Sequence, residues 1–158
     1  MPSDVPDYRL RVLIVDDEPD IRALLEEVCR VRDFAVLTAK DGLDAIGVLT
    51  RSPEAPDIVI SDVQMPGADG FAVLEAALQK SPRTQVVLIT GYGTDEGRAR
   101  AQQGGAVAYL LKPASLPTIT AMLDQLAKTA ADARAAGHGH PSRSCRYPGA
   151  ATEPNPKS

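Results

Sequence analysis

The chain has 158 residues, a net charge of −4, 4% aromatic residues and no tryptophan. This length is enough for one domain with its own hydrophobic core. The acidic balance argues against a basic surface for direct nucleic-acid binding. The sequence has no signal peptide and no apolar run approaching ~18 residues, which predicts a cytoplasmic protein without membrane association. Cys29 and Cys145 lie in dissimilar surroundings and predict no disulfide.

Five short apolar segments alternate with stretches of helical periodicity. Apolar runs of this length, separated by helices, predict strands of a buried parallel sheet. Right-handed crossovers would place the helices on both faces of that sheet. The sequence therefore predicts an α/β fold with a five-stranded parallel sheet. The predicted strands are residues 9–15, 34–39, 57–61, 84–90 and 106–111.

Local signals predict where the helices begin. Pro19 suits a first helical position, while Asp41 and Ser115 could cap the second and the last helix. The helix over residues 94–103 has little apolar surface, so we expect it to be the most mobile. Apolar residues at helical spacing predict the buried faces of the other helices: Ile21, Leu24, Leu25 and Val28; Leu43, Ile46 and Leu49; Phe71, Leu74 and Leu78; Ile119, Met122, Leu123 and Leu126.

The two ends of the chain differ in composition from the middle. We expect residues 1–8 to be disordered and residues 9–130 to form the folded domain. Residues 135–158 are rich in Gly, Pro and Ser, which predicts a flexible C-terminal tail and no output domain. His138 and His140 lie in this tail, and two ligands are too few for a structural metal site.

Polar side chains stand at the ends of four predicted strands. Asp16 and Asp17 follow the first strand, Asp62 the third and Lys112 the fifth, and Thr90 ends the fourth. The carboxyl ends of parallel strands meet at one edge, where such sheets bind ligands. Three carboxylates, a hydroxyl and an ammonium at one edge suit a divalent metal ion and a phosphoryl group.

Each of these residues has a candidate role in phosphoryl transfer. Asp62 is the candidate nucleophile, because a carboxylate can attack phosphorus and form an acyl phosphate. Lys112 would neutralise the transferring oxygens, and Thr90 would donate a hydrogen bond to one of them. Asp16 and Asp17 would hold Mg²⁺, one directly and one through water. Singly, each residue could equally be a turn, cap or surface residue, and only the joint pattern favours a site.

Five stretches of the chain form a family pattern in order and spacing: LIVDDEPDIR, TAKDGLDAI, DIVISDVQMPGADGFAVL, VVLITGYGTDE and AYLLKP. With them, residues 9 to about 130 resemble the receiver domain of bacterial two-component response regulators. The resemblance implies a flavodoxin-like, doubly wound fold with strand order 2-1-3-4-5. Because no output domain is expected after it, the chain resembles a stand-alone receiver domain, and the alternative is a fragment of a longer protein.

The resemblance implies a phosphoryl acceptor rather than a true enzyme. A sensor histidine kinase or a phosphotransfer protein would phosphorylate Asp62, and the domain would assist its own phosphorylation and dephosphorylation. Asp16, Asp17, Asp62 and the backbone carbonyl of Gln64 would surround Mg²⁺ or Mn²⁺. Two alternatives stay open: an interaction module that works without phosphorylation, and an aspartyl-phosphate phosphohydrolase. The second is disfavoured because haloacid-dehalogenase-like phosphatases have a second Asp where Gln64 stands.

The resemblance also implies a switch. It assigns Thr90 and Lys112 to the phosphoryl oxygens and implies a cis peptide bond before Pro113, although the residues alone would favour trans. Tyr109 would be the aromatic switch that turns inward as Thr90 moves, and its alternative is a half-buried strand aromatic. Tyr92, which follows Thr90 by two residues, is a candidate shield for the acyl phosphate.

We expect phosphorylation to change one surface of the domain. This output face would comprise residues 94–103, 106–111 and 115–126. It would bind an unknown downstream protein target or support a phosphorylation-dependent homodimer through residues 94–126.

Overall fold

A computed structural model describes residues 9–135, which form five strands and five helices in strict alternation. The strands are β1 (Arg11–Val15), β2 (Ala35–Ala39), β3 (Ile58–Asp62), β4 (Gln85–Thr90) and β5 (Ala108–Leu111). The helices are α1 (Pro19–Val31), α2 (Gly42–Arg51), α3 (Gly70–Lys80), α4 (Asp95–Gly104) and α5 (Leu116–Ala135). All paired strands are parallel, and the sheet order is β2-β1-β3-β4-β5. The predicted fold and strand order are confirmed.

The sheet buries apolar side chains on both faces. Residues that alternate along β1, β3 and β4 point to opposite sides, so each strand contributes to two cores. The core that includes residues of α1 and α5 contains the strand residues Val12, Ile14, Ile58, Ile60, Val87 and Ile89. The core that includes residues of α2, α3 and α4 contains Leu13, Val15, Val59, Val86 and Leu88. Packing on both sides fixes the ends of the central strands, where the polar residues stand.

The predicted helix starts are present. Pro19 is the first residue of α1. The side chain of Asp41 accepts a hydrogen bond of 2.8 Å from the amide three residues later, and the hydroxyl of Ser115 accepts one of 3.2 Å in the same way. Gly105 ends α4 with a φ of 99°, a left-handed conformation that glycine adopts without strain. The helix predicted over residues 94–103 is therefore confirmed.

Two predicted core residues are on the surface instead. Leu24 is 43% exposed and Leu43 is 64% exposed. In α1 the buried positions are Leu25, Val28 and Cys29, so the apolar face is rotated past Leu24. Helical spacing locates a face only to within a residue or so, because neighbouring positions are separated by about 100°.

The last helix is longer than the predicted domain. It continues to Ala135, past the expected end of the domain at residue 130, and Ala130 is itself buried. No helix within residues 9–135 combines the length and apolar character needed to cross a bilayer. The expectations for residues 1–8 and for the tail beyond Ala135, with His138 and His140, lie outside the described residues.

Candidate functional site

Three carboxylates converge at the carboxyl edge of the sheet. Val15 of β1 is in register with Ser61 of β3, so the residues that follow, Asp16 and Asp62, are brought side by side. One carboxylate oxygen from each of Asp16, Asp17 and Asp62 lies within 4.8 Å of the other two. Asp16 and Asp62 are buried, with 2% and 6% of their surface exposed, whereas Asp17 is exposed. The structure therefore brings together the three predicted carboxylates.

The chemistry of this cluster suits a small divalent cation. Burial raises the pKa of Asp62 above its ordinary value; the charge of Lys112 acts against this effect and the charge of Asp16 adds to it. A cation bound between the carboxylates would offset both the loss of hydration and the mutual repulsion. An all-oxygen donor set is what Mg²⁺ and Mn²⁺ prefer. The residues present therefore fit such an ion.

The ammonium of Lys112 is shared by three carboxylates. Its Nζ lies 3.1 Å from Oδ2 of Asp16, 3.3 Å from Oδ2 of Asp62 and 3.1 Å from Oε1 of Glu18. Burial lowers the pKa of Lys112, but hydrogen bonds to Glu18 and Asp16 and the charges of Asp16 and Asp62 outweigh it and raise this pKa above its ordinary value. Lys112 is therefore a permanent cation beside Asp62.

Two further residues belong to this site but were not predicted: Glu18, in the turn before α1, and Arg22, in α1. The amide of Glu18 donates to Oδ1 of Asp16 at 2.9 Å, and Nη1 of Arg22 donates to the carbonyl oxygen of Asp16 at 2.7 Å. Both bonds fix the turn that carries the carboxylates. The signal available in the sequence was the spacing, because Glu18 directly follows the Asp pair and Arg22 comes about one helical turn after Glu18.

Thr90 ends β4 next to the acidic cluster and is fully buried. Its Oγ1 accepts a 3.0 Å hydrogen bond from the amide of Tyr92. A hydroxyl that accepts there still has its own proton to donate. The next residue, Gly91, is exposed, and a β-carbon placed on it would meet nothing within 4 Å. No side chain at residue 91 therefore covers the end of β4.

The other predicted residues near Asp62 are placed as follows. The backbone of Lys112 donates to the carbonyl of Thr90 at 2.8 Å, and the peptide bond between Lys112 and Pro113 is cis. The amide of Gln64 lies 3.4 Å from Oδ1 of Asp62, and the side chain of Gln64 is exposed. The metal-binding role of the Gln64 carbonyl stays a prediction.

Gly70 is a further residue that the sequence analysis missed. It is the first residue of α3, and a β-carbon there would overlap the carbonyl oxygen of Asp62 and lie 2.8 Å from Cα of Val63. The close approach lets α3 begin against the backbone of the candidate nucleophile. A glycine at the start of a helix gives no clue from sequence alone that it packs against a distant strand.

Tyr109 lies in β5 and is buried, with 7% of its surface exposed. The sequence analysis also offered a half-buried strand aromatic for this residue. Tyr109 is in a strand, but it is buried rather than half-buried. The guanidinium of Arg98 lies over the ring, 5.3 Å from the centroid, and the hydroxyl packs against Gly97. These contacts place Tyr109 beneath the first turn of α4. Its role as a switch stays a prediction.

Comparisons with known proteins agree with this geometry. The family model for the response regulator receiver domain matches residues 12–124. Sporulation initiation phosphotransferase F of Bacillus subtilis is 32% identical over 109 residues, which cover 69% of this chain and 86% of that protein. The DNA-binding transcriptional regulator NtrC of Klebsiella pneumoniae is 33% identical over 112 residues, which cover 71% of this chain and 24% of NtrC.

A second regulator and a solved structure extend the comparison. The transcriptional activator protein PfeR of Pseudomonas aeruginosa is 37% identical over 116 residues, which cover 73% of this chain and 37% of PfeR. The match thus spans only about a quarter to about a third of these two regulators. The structure of chemotaxis protein CheY4 of Vibrio cholerae matches with a TM-score of 0.68 and 28% identity over 75% of this chain and 99% of CheY4. Because the family model matches residues 12–124, most of the described residues, and the sheet has the strand order that the resemblance implied, this chain belongs to the receiver domain family of two-component response regulators.

Proposed function

We propose that Asp62 accepts a phosphoryl group from a histidine of a sensor histidine kinase or a phosphotransfer protein, in a reaction that depends on Mg²⁺ or Mn²⁺. The observation that carries this proposal is the position of the Asp62 carboxylate. It is buried in the acidic cluster, yet it lies 3.3 Å from the ammonium of Lys112. A purely structural aspartate would not need this combination.

The transfer follows from the groups around Asp62. A carboxylate oxygen of Asp62 attacks phosphorus as the P–N bond of the donor breaks, and the electron pair of that bond stays on the histidine nitrogen. The attacking group must be ionised, and the positive charge of Lys112 opposes the effect of burial on the pKa of Asp62. Lys112 and the hydroxyl of Thr90 would then contact two of the phosphoryl oxygens.

The cation would be held by Asp16, Asp17, Asp62 and the backbone carbonyl of Gln64. When bound, it would neutralise negative charge on the phosphoryl oxygens as the transfer proceeds. Arg22 and Glu18 would keep the turn in place through their hydrogen bonds to Asp16.

Loss of the phosphoryl group would restore the resting domain. Water attacks phosphorus, the P–O bond to Asp62 breaks, and the products are inorganic phosphate and the free carboxylate. The domain would thus assist its own phosphorylation and dephosphorylation, as expected for a phosphoacceptor rather than an enzyme that acts on external substrates.

Phosphorylation would reach the surface through the loop between β4 and α4. The hydroxyl of Thr90 holds the amide of Tyr92, so a move of Thr90 toward a phosphoryl oxygen pulls this loop. Among the residues of α4 only Ala101 is buried, so this helix is weakly held. We propose that residues 94–103, 106–111 and 115–126 then bind a downstream protein or a second copy of the chain. The exposed Leu111 and Leu116 would contribute apolar contact area.

Incubation with acetyl phosphate and Mg²⁺, followed by intact mass spectrometry, tests this proposal. The native chain should gain the mass of one phosphoryl group, and Asp62→Asn should gain none. Asp95→Asn, which changes an exposed carboxylate on α4, is the matched control and should gain the same mass as the native chain. A chelator added before acetyl phosphate should prevent the gain.

A negative result has a defined meaning. Rapid hydrolysis could hide the acyl phosphate, so the native chain should also be tested for binding of beryllofluoride, a stable phosphoryl mimic. If neither group is taken up, an interaction module that works without phosphorylation replaces this proposal. If both are taken up, sedimentation with and without beryllofluoride would separate a homodimer from a surface for another protein.

A further inference from the structure

Glu18 contacts Lys112 without belonging to the acidic cluster. Its Oε1 lies 3.1 Å from Nζ of Lys112, as close as Oδ2 of Asp16, yet 61% of the Glu18 side chain is exposed. Among residues 9–135, the carboxylates close enough to share a cation are those of Asp16, Asp17 and Asp62. Lys112 therefore has one carboxylate partner, Glu18, that lies outside the set of proposed metal ligands.

The side chain of Glu18 has no evident structural task. It precedes α1 at the N-cap position, but it makes no capping hydrogen bond. The backbone amide of Glu18, not its carboxylate, anchors the turn to Asp16. Its contact with Lys112 joins residues 94 positions apart in the sequence. The ion pair with Lys112 is thus the interaction of the Glu18 side chain that suggests a role for this residue.

We propose that Glu18 is a positioning residue that competes with the phosphoryl group for Lys112 and so slows phosphorylation of Asp62; this rests on the proposed function. Asp16 and Asp62 would direct their charge toward a bound cation, whereas Glu18 keeps its charge for Lys112. While Glu18 stays bound, it partly neutralises the ammonium of Lys112 and occupies one of its three N–H donors, so Lys112 attracts a phosphoryl oxygen less strongly. The exposed negative charge also repels an anionic donor that approaches the site.

Glu18→Gln tests the competition, because glutamine keeps the size of the side chain and loses its charge. With acetyl phosphate, an oxygen of Asp62 attacks phosphorus and acetate leaves with the electron pair of the broken P–O bond. The rate of this reaction should rise about 3- to 5-fold in Glu18→Gln, the size expected for loss of one partly exposed ion pair. Beryllofluoride should bind more tightly by a similar factor.

Two variants separate the contact from general repulsion. Asp20→Asn removes the same charge from an exposed position in the first turn of α1 and should leave the rate near that of the native chain. Glu18→Asp keeps the charge but shortens the reach to Lys112, so its rate should move toward that of Glu18→Gln. If Asp20→Asn accelerates the reaction as much as Glu18→Gln, repulsion alone explains the result and the proposal is overturned.

A double variant tests whether the effect passes through Lys112. In a Lys112→Ala background, where we expect phosphorylation to be slow, Glu18→Gln should bring no acceleration. A readout without metal or donor is the NMR signal of the Lys112 side-chain ammonium in the presence of chelator. This signal should shift in Glu18→Gln and stay unchanged in Asp20→Asn.

The outcomes distinguish this inference from the function on which it rests. If the native chain is phosphorylated and Glu18→Gln reacts at the same rate, only the role of Glu18 is wrong. If the native chain takes up neither phosphoryl group nor beryllofluoride, the proposed function is wrong and the role of Glu18 falls with it. Equal melting temperatures of the native chain and the Glu18 variants would exclude a folding defect.

Discussion

The hydroxyl of Tyr109 occupies the space that a side chain at residue 97 would need. A β-carbon built on Gly97 overlaps this hydroxyl and lies 3.3 Å from Cζ of the same ring. Gly97 is in the first turn of α4, and the next residue, Arg98, lies over the ring of Tyr109. The missing side chain at residue 97 therefore lets Tyr109 pack beneath α4, next to the loop that Thr90 holds.

Gly97→Ala should destabilise the domain even though alanine favours a helix by about 1 kcal/mol over glycine. The overlap with Tyr109 should outweigh this gain and lower the free energy of unfolding by about 1–2 kcal/mol, as for other overpacked sites. In a Tyr109→Phe background, which lacks the hydroxyl, the same substitution should cost less, because the tightest remaining contact of the new β-carbon is 3.0 Å to Oγ1 of Thr94. Urea unfolding of the four proteins measures both effects.

The control for this prediction is Gly91→Ala. A β-carbon there meets nothing within 4 Å, so its free energy of unfolding should stay within about 0.5 kcal/mol of the native value. An equal cost of Gly97→Ala with tyrosine and with phenylalanine at residue 109 would show that the hydroxyl is not the obstacle.

Tyr92→Ala should shorten the lifetime of the acyl phosphate. The amide of Tyr92 is bound to the hydroxyl of Thr90, and Tyr92 is 75% exposed. We expect its large ring to hinder water on its way to phosphorus, so its removal should raise the hydrolysis rate. The measurement is the decay of phosphorylated protein after removal of the donor.

Tyr92→Phe is the matched variant, because it keeps the ring and loses only the hydroxyl. Its decay rate should equal that of the native chain. Equal decay in Tyr92→Ala and the native chain would show that the ring does not shield the acyl phosphate.

The fold and the centre of the site could be predicted because both follow from the parallel sheet. Strands buried on both faces are long apolar runs, and polar residues at their carboxyl ends must meet at one edge. This reasoning placed Asp16, Asp17 and Asp62 together, with Thr90 and Lys112 beside them. The strand order and the roles of single residues came from the family resemblance, not from the apolar pattern.

The contacts between different elements around the site could not be predicted. Glu18 reaches Lys112, Gly97 makes room for Tyr109, and Gly70 lets α3 approach Asp62. Each contact joins residues from different elements, and it depends on side-chain directions that spacing along one element does not fix. The exposure of Leu24 has a similar cause, because the rotation of a helix about its axis is set by packing against the sheet.

Asp62→Asn should stabilise the domain in the absence of metal. The pKa of Asp62 is raised in the folded state, chiefly by burial, so its ionised form favours the unfolded chain. The native chain therefore loses stability relative to Asp62→Asn as the pH rises through the ordinary range for aspartate, about 4, toward neutral. At pH 7 with chelator, we expect Asp62→Asn to melt a few degrees above the native chain.

Mg²⁺ should reverse this order. Binding to the folded state alone adds about 2.7 kcal/mol when the free ion is at about 100 times its Kd. Asp62→Asn loses one proposed ligand and should gain much less. Thermal unfolding of both proteins across a Mg²⁺ titration measures the concentration at which their melting temperatures become equal. If Asp62→Asn keeps the higher melting temperature at every Mg²⁺ concentration, Asp62 does not hold the cation.

Cys29 should make the domain less stable at alkaline pH. This thiol is fully buried in the core between the sheet and α1, and burial raises its pKa to about 12, with the charge of Arg32 acting in the opposite direction. Above pH about 9 the thiol ionises in the unfolded chain but not in the folded one, so the unfolded state binds fewer protons and is favoured. The free energy of unfolding should fall by about 1.4 kcal/mol per pH unit between about 9 and 12.

Urea unfolding at pH 8 and pH 10 should therefore show a larger loss of stability with Cys29 than in Cys29→Ala, with both proteins in a Cys145→Ser background. The comparison between the two proteins cancels the titration of lysine and tyrosine residues, and equal losses would mean that the Cys29 thiol ionises as readily in the folded domain as in the unfolded chain.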